Sequence, residues 1–243
     1  MTALLEIEGL TRRFGGVTAV DRCSFNVPEG SITALVGPNG SGKTTAFNLI
    51  TGYLRADAGA IRFAGMPVRR PNPVKLARRG LTRTFQQARI FGELTLVQNM
   101  VAALQQPWRA SLRRAVGSGE RSGALELLDE FGLADLAYER AADLSYGQKK
   151  LLEFAAVLMG GPRLVLLDEP TAGVNPVLVE HIEQRVRDLN ARGLTFLVVE
   201  HNMNLVMRLC DPIVVLDRGT KLAEGSAEEV RHDERVLDAY LGG

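Results

Sequence analysis

The chain has 243 residues and a mass of 26.4 kDa, with 46% hydrophobic and 23% charged residues, a composition close to that of soluble globular proteins. This length fits one large domain or two intimate ones, and the balance excludes disorder or fibrous repeats as the main state. Lys plus Arg number 29 against 28 Asp plus Glu, a net charge of +1, so no global positive field is available to hold nucleic acid; two cysteines, Cys23 and Cys210, are too few for a disulfide framework and fit a reduced, cytoplasmic setting.

Residues Met1 to Gly9 carry Glu6 and Glu8 and lack the basic flank and long apolar core of a secretion signal. Leu4 to Glu8 alternates as a strand, and Cys23 to Val27 is a second candidate. Ser31 to Val36 is short and apolar between Gly30 and Gly37, as a buried parallel strand would be. A helix is expected from Lys43 to about Thr51. Ile61 to Phe63 reads as an edge strand and Leu81 to Phe85 as another strand.

Helical periodicity then takes over at Thr95 to Gln105, Ser122 to Phe131 and Gln148 to Met159. The stretch Pro107 to Gly123, with Arg109, Arg113, Arg114 and Arg121, reads as a solvated loop. The most apolar run, Phe154 to Pro162, ends at Arg163, far short of the roughly 20 apolar residues of a membrane span. Leu164 to Leu167, Thr195 to Val199 and Ile213 to Leu216 return as strands. A helix from Pro176 to about Asn190 lies between the first two, and Glu228 to Tyr240 reads as short terminal helices. Strand-rich ends around a helical middle predict an α/β core, residues 1–83 and 162–243, with a helical insertion at 84–161.

Gly37-Pro38-Asn39-Gly40-Ser41-Gly42-Lys43-Thr44 follows a predicted strand and opens a predicted helix, the context a phosphate-binding loop requires. Its glycines let backbone N–H groups converge on phosphate oxygens at the positive end of a helix. Lys43 can reach the outer phosphates of a nucleotide, and the Thr44 hydroxyl can ligate Mg²⁺. Leu164 to Leu167 runs into Asp168-Glu169, an acid pair at the strand end where α/β sheets bind ligands. Asp168 can hold Mg²⁺ through water. Glu169, pointing the other way by strand alternation if the strand persists that far, can polarise a water attacking the terminal phosphate.

Three further segments join these in order: Thr84-Phe85-Gln86-Gln87, Leu144-Ser145-Tyr146-Gly147-Gln148 and Glu200-His201. With them the whole chain resembles the ATP-binding cassette family of transporter ATPases. The resemblance implies a P-loop NTPase (RecA-like) α/β core, an antiparallel β region near the N-terminus and an inserted helical subdomain. It implies adenine stacking on Phe14 and ATP contacts from Gly37, Pro38, Asn39, Gly40, Ser41, Gly42, Lys43, Thr44 and Thr45. Thr44, Gln86 and Asp168 become Mg²⁺ ligands, Glu169 the catalytic base and His201 the switch residue on the terminal phosphate. Ser145, Tyr146, Gly147 and Gln148 form a signature segment that faces ATP held by a second, homologous or identical, cassette. Gly173 and Asn175 lie in the loop that couples the two sites.

The local physics is compatible. Ser145-x-x-Gln148 is a helix capping box in its own right, but capping does not call for Gly147, a poor residue in a first helical turn; a closely approaching phosphate would. Three positions depart from the broad family: Tyr146 where Gly is usual, Asn175 where Asp is usual, and Phe14 in place of Tyr. They fit a narrower resemblance, to the ATP-binding subunits of bacterial branched-chain amino acid importers. Arg12 to Gly16, Ala46 to Gly52, Arg83 to Gln86, Leu144 to Gln148 and the ending Ala239-Tyr240-Leu241-Gly242 carry it. That likeness implies integral-membrane permease subunits as partners, an indirect periplasmic or extracellular binding protein, and a peripheral place on the cytoplasmic face of the cell membrane. Importers of urea or short amides, and exporters of lipid or lipopolysaccharide, are the alternatives. Ala88 to Glu93 is expected either to receive a membrane-subunit helix through Ile90 and Phe91 or to pack in the core. His181 and His232 match no motif and are expected at the surface.

Overall fold

The computed structural model describes residues 2–104 and 118–241. Strand β1 (Ala3–Phe14) and strand β2 (Val17–Pro28) form a long antiparallel hairpin. β1 outruns the alternating segment Leu4 to Glu8. Gly9, at φ 57°, sits where its register with β2 shifts, and this bulge moves the buried positions from Leu5 and Ile7 to Leu10. β3 (Ile32–Val36) leads into α1 (Lys43–Ile50). β4 (Ala58–Phe63) pairs with β1 on one side and with the two-residue β5 (Met66–Pro67) on the other. The expected edge strand at Ile61 to Phe63 is therefore interior to its sheet.

α2 (Pro73–Ala77) precedes β6 (Leu81–Arg83). That strand stops short of Phe85 because Glu153 Oε1 takes the Phe85 N–H, at 3.2 Å. α3 (Leu96–Ala103), α4 (Ser118–Glu130) and α5 (Tyr146–Leu158) follow, with short 3₁₀ turns at Ala134–Leu136 and Ala141–Asp143. Of the expected loop Pro107 to Gly123, residues 107–117, with Arg109, Arg113 and Arg114, lie outside the described residues. The remainder is helical, and Arg121 stacks on Tyr138 at 5.3 Å. Helix α4 starts before the apolar periodicity because its first turn carries polar residues, which leave no hydrophobic signal to read.

β7 (Leu164–Asp168), α6 (Pro176–Ala191), β8 (Thr195–Val199), α7 (Met203–Leu209), β9 (Ile213–Asp217), β10 (Thr220–Gly225), α8 (Ala227–His232) and α9 (Glu234–Leu241) complete the chain. The antiparallel sheet has the order β2-β1-β4-β5 and the second sheet β10-β9-β3-β8-β7-β6. All of the second sheet is parallel except β10.

β3, β7 and β8 are buried throughout, and side-chain alternation divides them between two cores. Val36, Leu167 and Val198 meet helices α3 to α6. Leu35, Leu166 and Leu197 meet α1 and the antiparallel sheet. The parallel sheet is thus the common wall of two layers, and its carboxyl edge is free to carry chemistry. Cys23 and Cys210 are free and buried; burial pushes their thiols up to about 11 and about 12, which keeps them unreactive.

Candidate active site

The loop after β3 is shaped by close approach. A Cβ at Gly37 would lie 2.1 Å from Leu216 O and 2.7 Å from Ser41 Oγ, so only glycine lets β3 turn there against β9. Lys43 is buried and folds back over the loop, donating from Nζ to Gly37 O at 2.7 Å and Pro38 O at 2.9 Å. Burial lowers its pKa, and the Glu169 charge opposes that shift. Helix α1 opens on Gly42 with no side-chain cap and no acid in its first turn. Its free N–H groups and dipole are therefore left for an external anion. Thr44 is exposed beside them and Thr45 half-buried.

β8 lies between β3 and β7, so the acid pair belongs to the next strand but one rather than to an immediate neighbour of the loop. Asp168 ends β7, and its Oδ2 accepts from Arg83 Nη2. Strand alternation is not what aims Glu169. β7 ends before it, and Glu169 turns left-handed at φ 47°. That turn swings its carboxylate toward two other residues singled out in the sequence. Gln86 Nε2 donates to Oε2 at 2.8 Å, and His201 Nε2 meets Oε1 at 2.8 Å. The amide and the imidazole, from two other segments, thus converge on one carboxylate.

Four charged residues that sequence reasoning gave no role build the frame. Arg83 joins Asp168 to α1 through Asn48 Oδ1 at 2.7 Å and Thr51 Oγ1 at 3.2 Å. Buried Glu200 accepts from Thr171 N at 2.9 Å and from His201 N at 3.0 Å, fixing both loops at once. Glu153 accepts from Phe85 N and Arg89 N, both at 3.2 Å, and so sets the segment carrying Gln86; burial raises its pKa to about 7 against those bonds. Lys150 donates to Glu169 O at 2.9 Å. For Lys150 and Glu153 the available signal was a charge on a helix face otherwise made of Leu151, Leu152, Phe154 and Ala155.

Ser145 and Gln148 form the capping box of α5. A Cβ at Gly147 would lie 2.4 Å from Leu178 Cδ2, the tip of a flexible side chain that can turn aside, so packing within the chain favours glycine there without requiring it. The Tyr146 ring lies against Gly173, and its hydroxyl reaches Ala172 O at 3.4 Å. Asn175 caps α6 by accepting from Leu178 N at 2.9 Å, a task Asn performs as well as Asp. Phe14 is exposed, with the Arg12 guanidinium 4.7 Å from its ring. Ile90 packs against the helical core, whereas Phe91 is 62% exposed. His232 is exposed. His181 is half-buried rather than fully at the surface, and burial lowers its pKa.

The donor set suits a magnesium triphosphate. The amides, Lys43 and the uncapped helix end can receive anionic oxygens, while the Thr44 hydroxyl and the Asp168 carboxylate are hard oxygen donors of the kind such an ion takes. Residues 20–172 match the family model described as "ABC transporter", and residues 220–243 match "Branched-chain amino acid ATP-binding cassette transporter". The chain is 39% identical, over 98% of both chains, to the high-affinity branched-chain amino acid transport ATP-binding protein BraF of Pseudomonas aeruginosa. It is 36% identical, over 98% of both, to LivG of Escherichia coli K12. Among solved structures it superposes on the ADP conformation of an ATP-binding cassette of an ABC transporter, with a TM-score of 0.89, 33% identity and full coverage of both chains. A dimeric cassette in a post-hydrolysis state, bound to ADP and Pi, aligns at a TM-score of 0.78 and 26% identity over 92% of this chain and 98% of that one.

Proposed function

The chain belongs to the ATP-binding cassette family of transporter ATPases, and from that premise we propose that it hydrolyses ATP to drive an importer of branched-chain amino acids. The convergence of Gln86 and His201 on Glu169, each at 2.8 Å, beside the phosphate loop carries the hydrolytic reading. In this reading the loop amides and Lys43 hold the triphosphate, with Phe14 against adenine. Glu169 orients a water and accepts its proton as the oxygen attacks the terminal phosphorus. The bond to the bridging oxygen breaks, and ADP leaves with the electron pair. His201 and Gln86 keep the carboxylate aimed. Mg²⁺, held by Thr44, Asp168 and Gln86, would neutralise charge on the outer phosphates.

In this reading one chain supplies only part of the surroundings of the terminal phosphate. A second cassette, contributing its Ser145-to-Gln148 segment, completes them. The dimeric relative with ADP and Pi supports this pairing. The helical insertion, anchored at Gln86, then moves as the dimer closes and reopens, with Gly173 and Asn175 in the loop that couples the two sites. No helix among the described residues is long and apolar enough to cross a membrane. In this reading substrate passes through separate permease subunits, which hold this chain at the cytoplasmic face and receive cargo from a binding protein outside.

The names of the relatives favour branched-chain amino acids as cargo. The test is reconstitution with permease subunits and a binding protein of a branched-chain amino acid importer from the same organism. ATP turnover is expected to rise on adding binding protein loaded with leucine, isoleucine or valine. Stimulation by urea or a short amide alone would replace the cargo assignment. Lys43→Ala should weaken ATP binding about tenfold or more, since it removes a charge-assisted hydrogen bond worth roughly 1.5–3 kcal/mol. Titration with a fluorescent ATP analogue checks this, and unchanged affinity would count against the loop as the ATP site.

A further inference from the structure

Resting on that reading of Glu169, we propose that Lys150 is a positioning residue that sets the backbone of the base and ties it to the signature turn of its own chain.

Lys150 is 5% exposed on helix α5, between residues that pack in the core. An ammonium there is costly to desolvate, and an aliphatic side chain would fit the helix face. The burial lowers its pKa, while the fields of Glu153, Glu200, Glu169 and Asp168 oppose the shift. Among the described residues it makes no ion pair with any of the four. Its hydrogen bond goes instead to a backbone atom, the carbonyl oxygen of Glu169, at 2.9 Å.

That carbonyl belongs to the residue with the unfavourable conformation. A left-handed φ in a residue with a Cβ is unfavourable and persists only where the surroundings over-determine it. Here the Glu169 N–H is held by Val199 O at 2.9 Å, and Glu169 O is held by Lys150 together with the Ala172 N–H at 3.2 Å. The sheet therefore fixes one side of the residue and α5 the other. Without the left-handed turn the carboxylate would leave Gln86 and His201.

The same ammonium lies 5.7 Å from the centre of the Tyr146 ring, one helical turn back in the signature segment. Tyr146 also reaches Ala172 O. Two side chains on consecutive turns of α5 thus grip the segment from Glu169 to Gly173. A shift of the helix start, where a partner's nucleotide would bear, passes through Lys150 to the base of this chain's own site.

The test compares steady-state Mg-ATP hydrolysis by the full chain and its variants. Lys150→Met is expected to lower kcat by about tenfold to a hundredfold, as displacement of a reacting group by about an ångström does, with the ATP KM within about twofold. Lys150→Arg keeps charge and donor and should recover most of the turnover. Wild-type turnover by the Met variant overturns the proposal. So does an equal fall in both variants accompanied by a lowered Tm, because a structural role would produce that. If the Met variant does not fold, Lys150→Gln replaces it: its amide ends one atom short of the carbonyl, so a lowered kcat at unchanged KM supports the role and a wild-type kcat overturns it. Glu169→Gln, run in parallel, separates the two readings. An active Glu169→Gln enzyme sinks the base assignment itself; an inactive one beside a fully active Lys150→Met enzyme sinks the Lys150 proposal alone.

Discussion

Glu169→Gln is expected to lose a factor of about 10²–10⁴ in kcat, the usual contribution of a positioned general base, while ATP binding stays intact. The amide has nearly the shape of the carboxylate, and can turn its oxygen to Gln86 and its NH2 to the His201 ring nitrogen. It cannot accept a proton from water. It also removes a negative charge that faces the triphosphate, so affinity should hold or rise. Single-turnover hydrolysis and an ATP-binding titration on the same preparation check both halves. Size-exclusion chromatography with ATP should show the variant accumulating as a closed dimer, since the step that reopens it is blocked. Turnover at the wild-type rate would remove Glu169 from the mechanism.

Arg83→Met is expected to destabilise the fold by about 3–5 kcal/mol, the range for breaking one side of a buried ion pair. The side chains of Arg83 and Asp168 are 6% and 7% exposed. The guanidinium also bonds Asn48 and Thr51 and lies over the rings of Phe47 and Phe85 at 5.5 Å and 5.1 Å. Its loss leaves the Asp168 carboxylate buried without its cation and cuts the tie between β7 and α1. Urea denaturation measures the change. Adding Asp168→Asn to the variant should recover part of the loss, because the uncompensated charge goes. Wild-type stability of the single variant would show that the pair is not structural.

The phosphate loop and the acid pair were legible because their chemistry needs particular residues in a run: glycines where the backbone must approach a phosphate, acids where an apolar strand ends. The two-layer core was legible in part, since β3, β7 and β8 are plain apolar strands. What escaped reading depends on residues far apart in sequence. Gly9 looked like the end of a strand, but a bulge carries β1 on to Phe14. Glu169 was expected to be aimed by alternation, but a left-handed turn aims it, and that turn is visible only once Val199 and Lys150 are seen to hold it. Arg83 was noticed only as part of a family-like segment; its role needs Asp168, 85 positions further on. Asn175 looked like a departure, yet as the cap of α6 it does an ordinary job.

The contact of Leu178 with Gly147 has a bearing on protein engineering. The position that labels the chain as a cassette is also a seat for a neighbouring methyl group. Because Leu178 ends in a flexible side chain, a library that grafts foreign signature sequences onto this scaffold can seat a side chain at 147 by a rotation at 178, and varying the two positions together separates that repacking from chemistry.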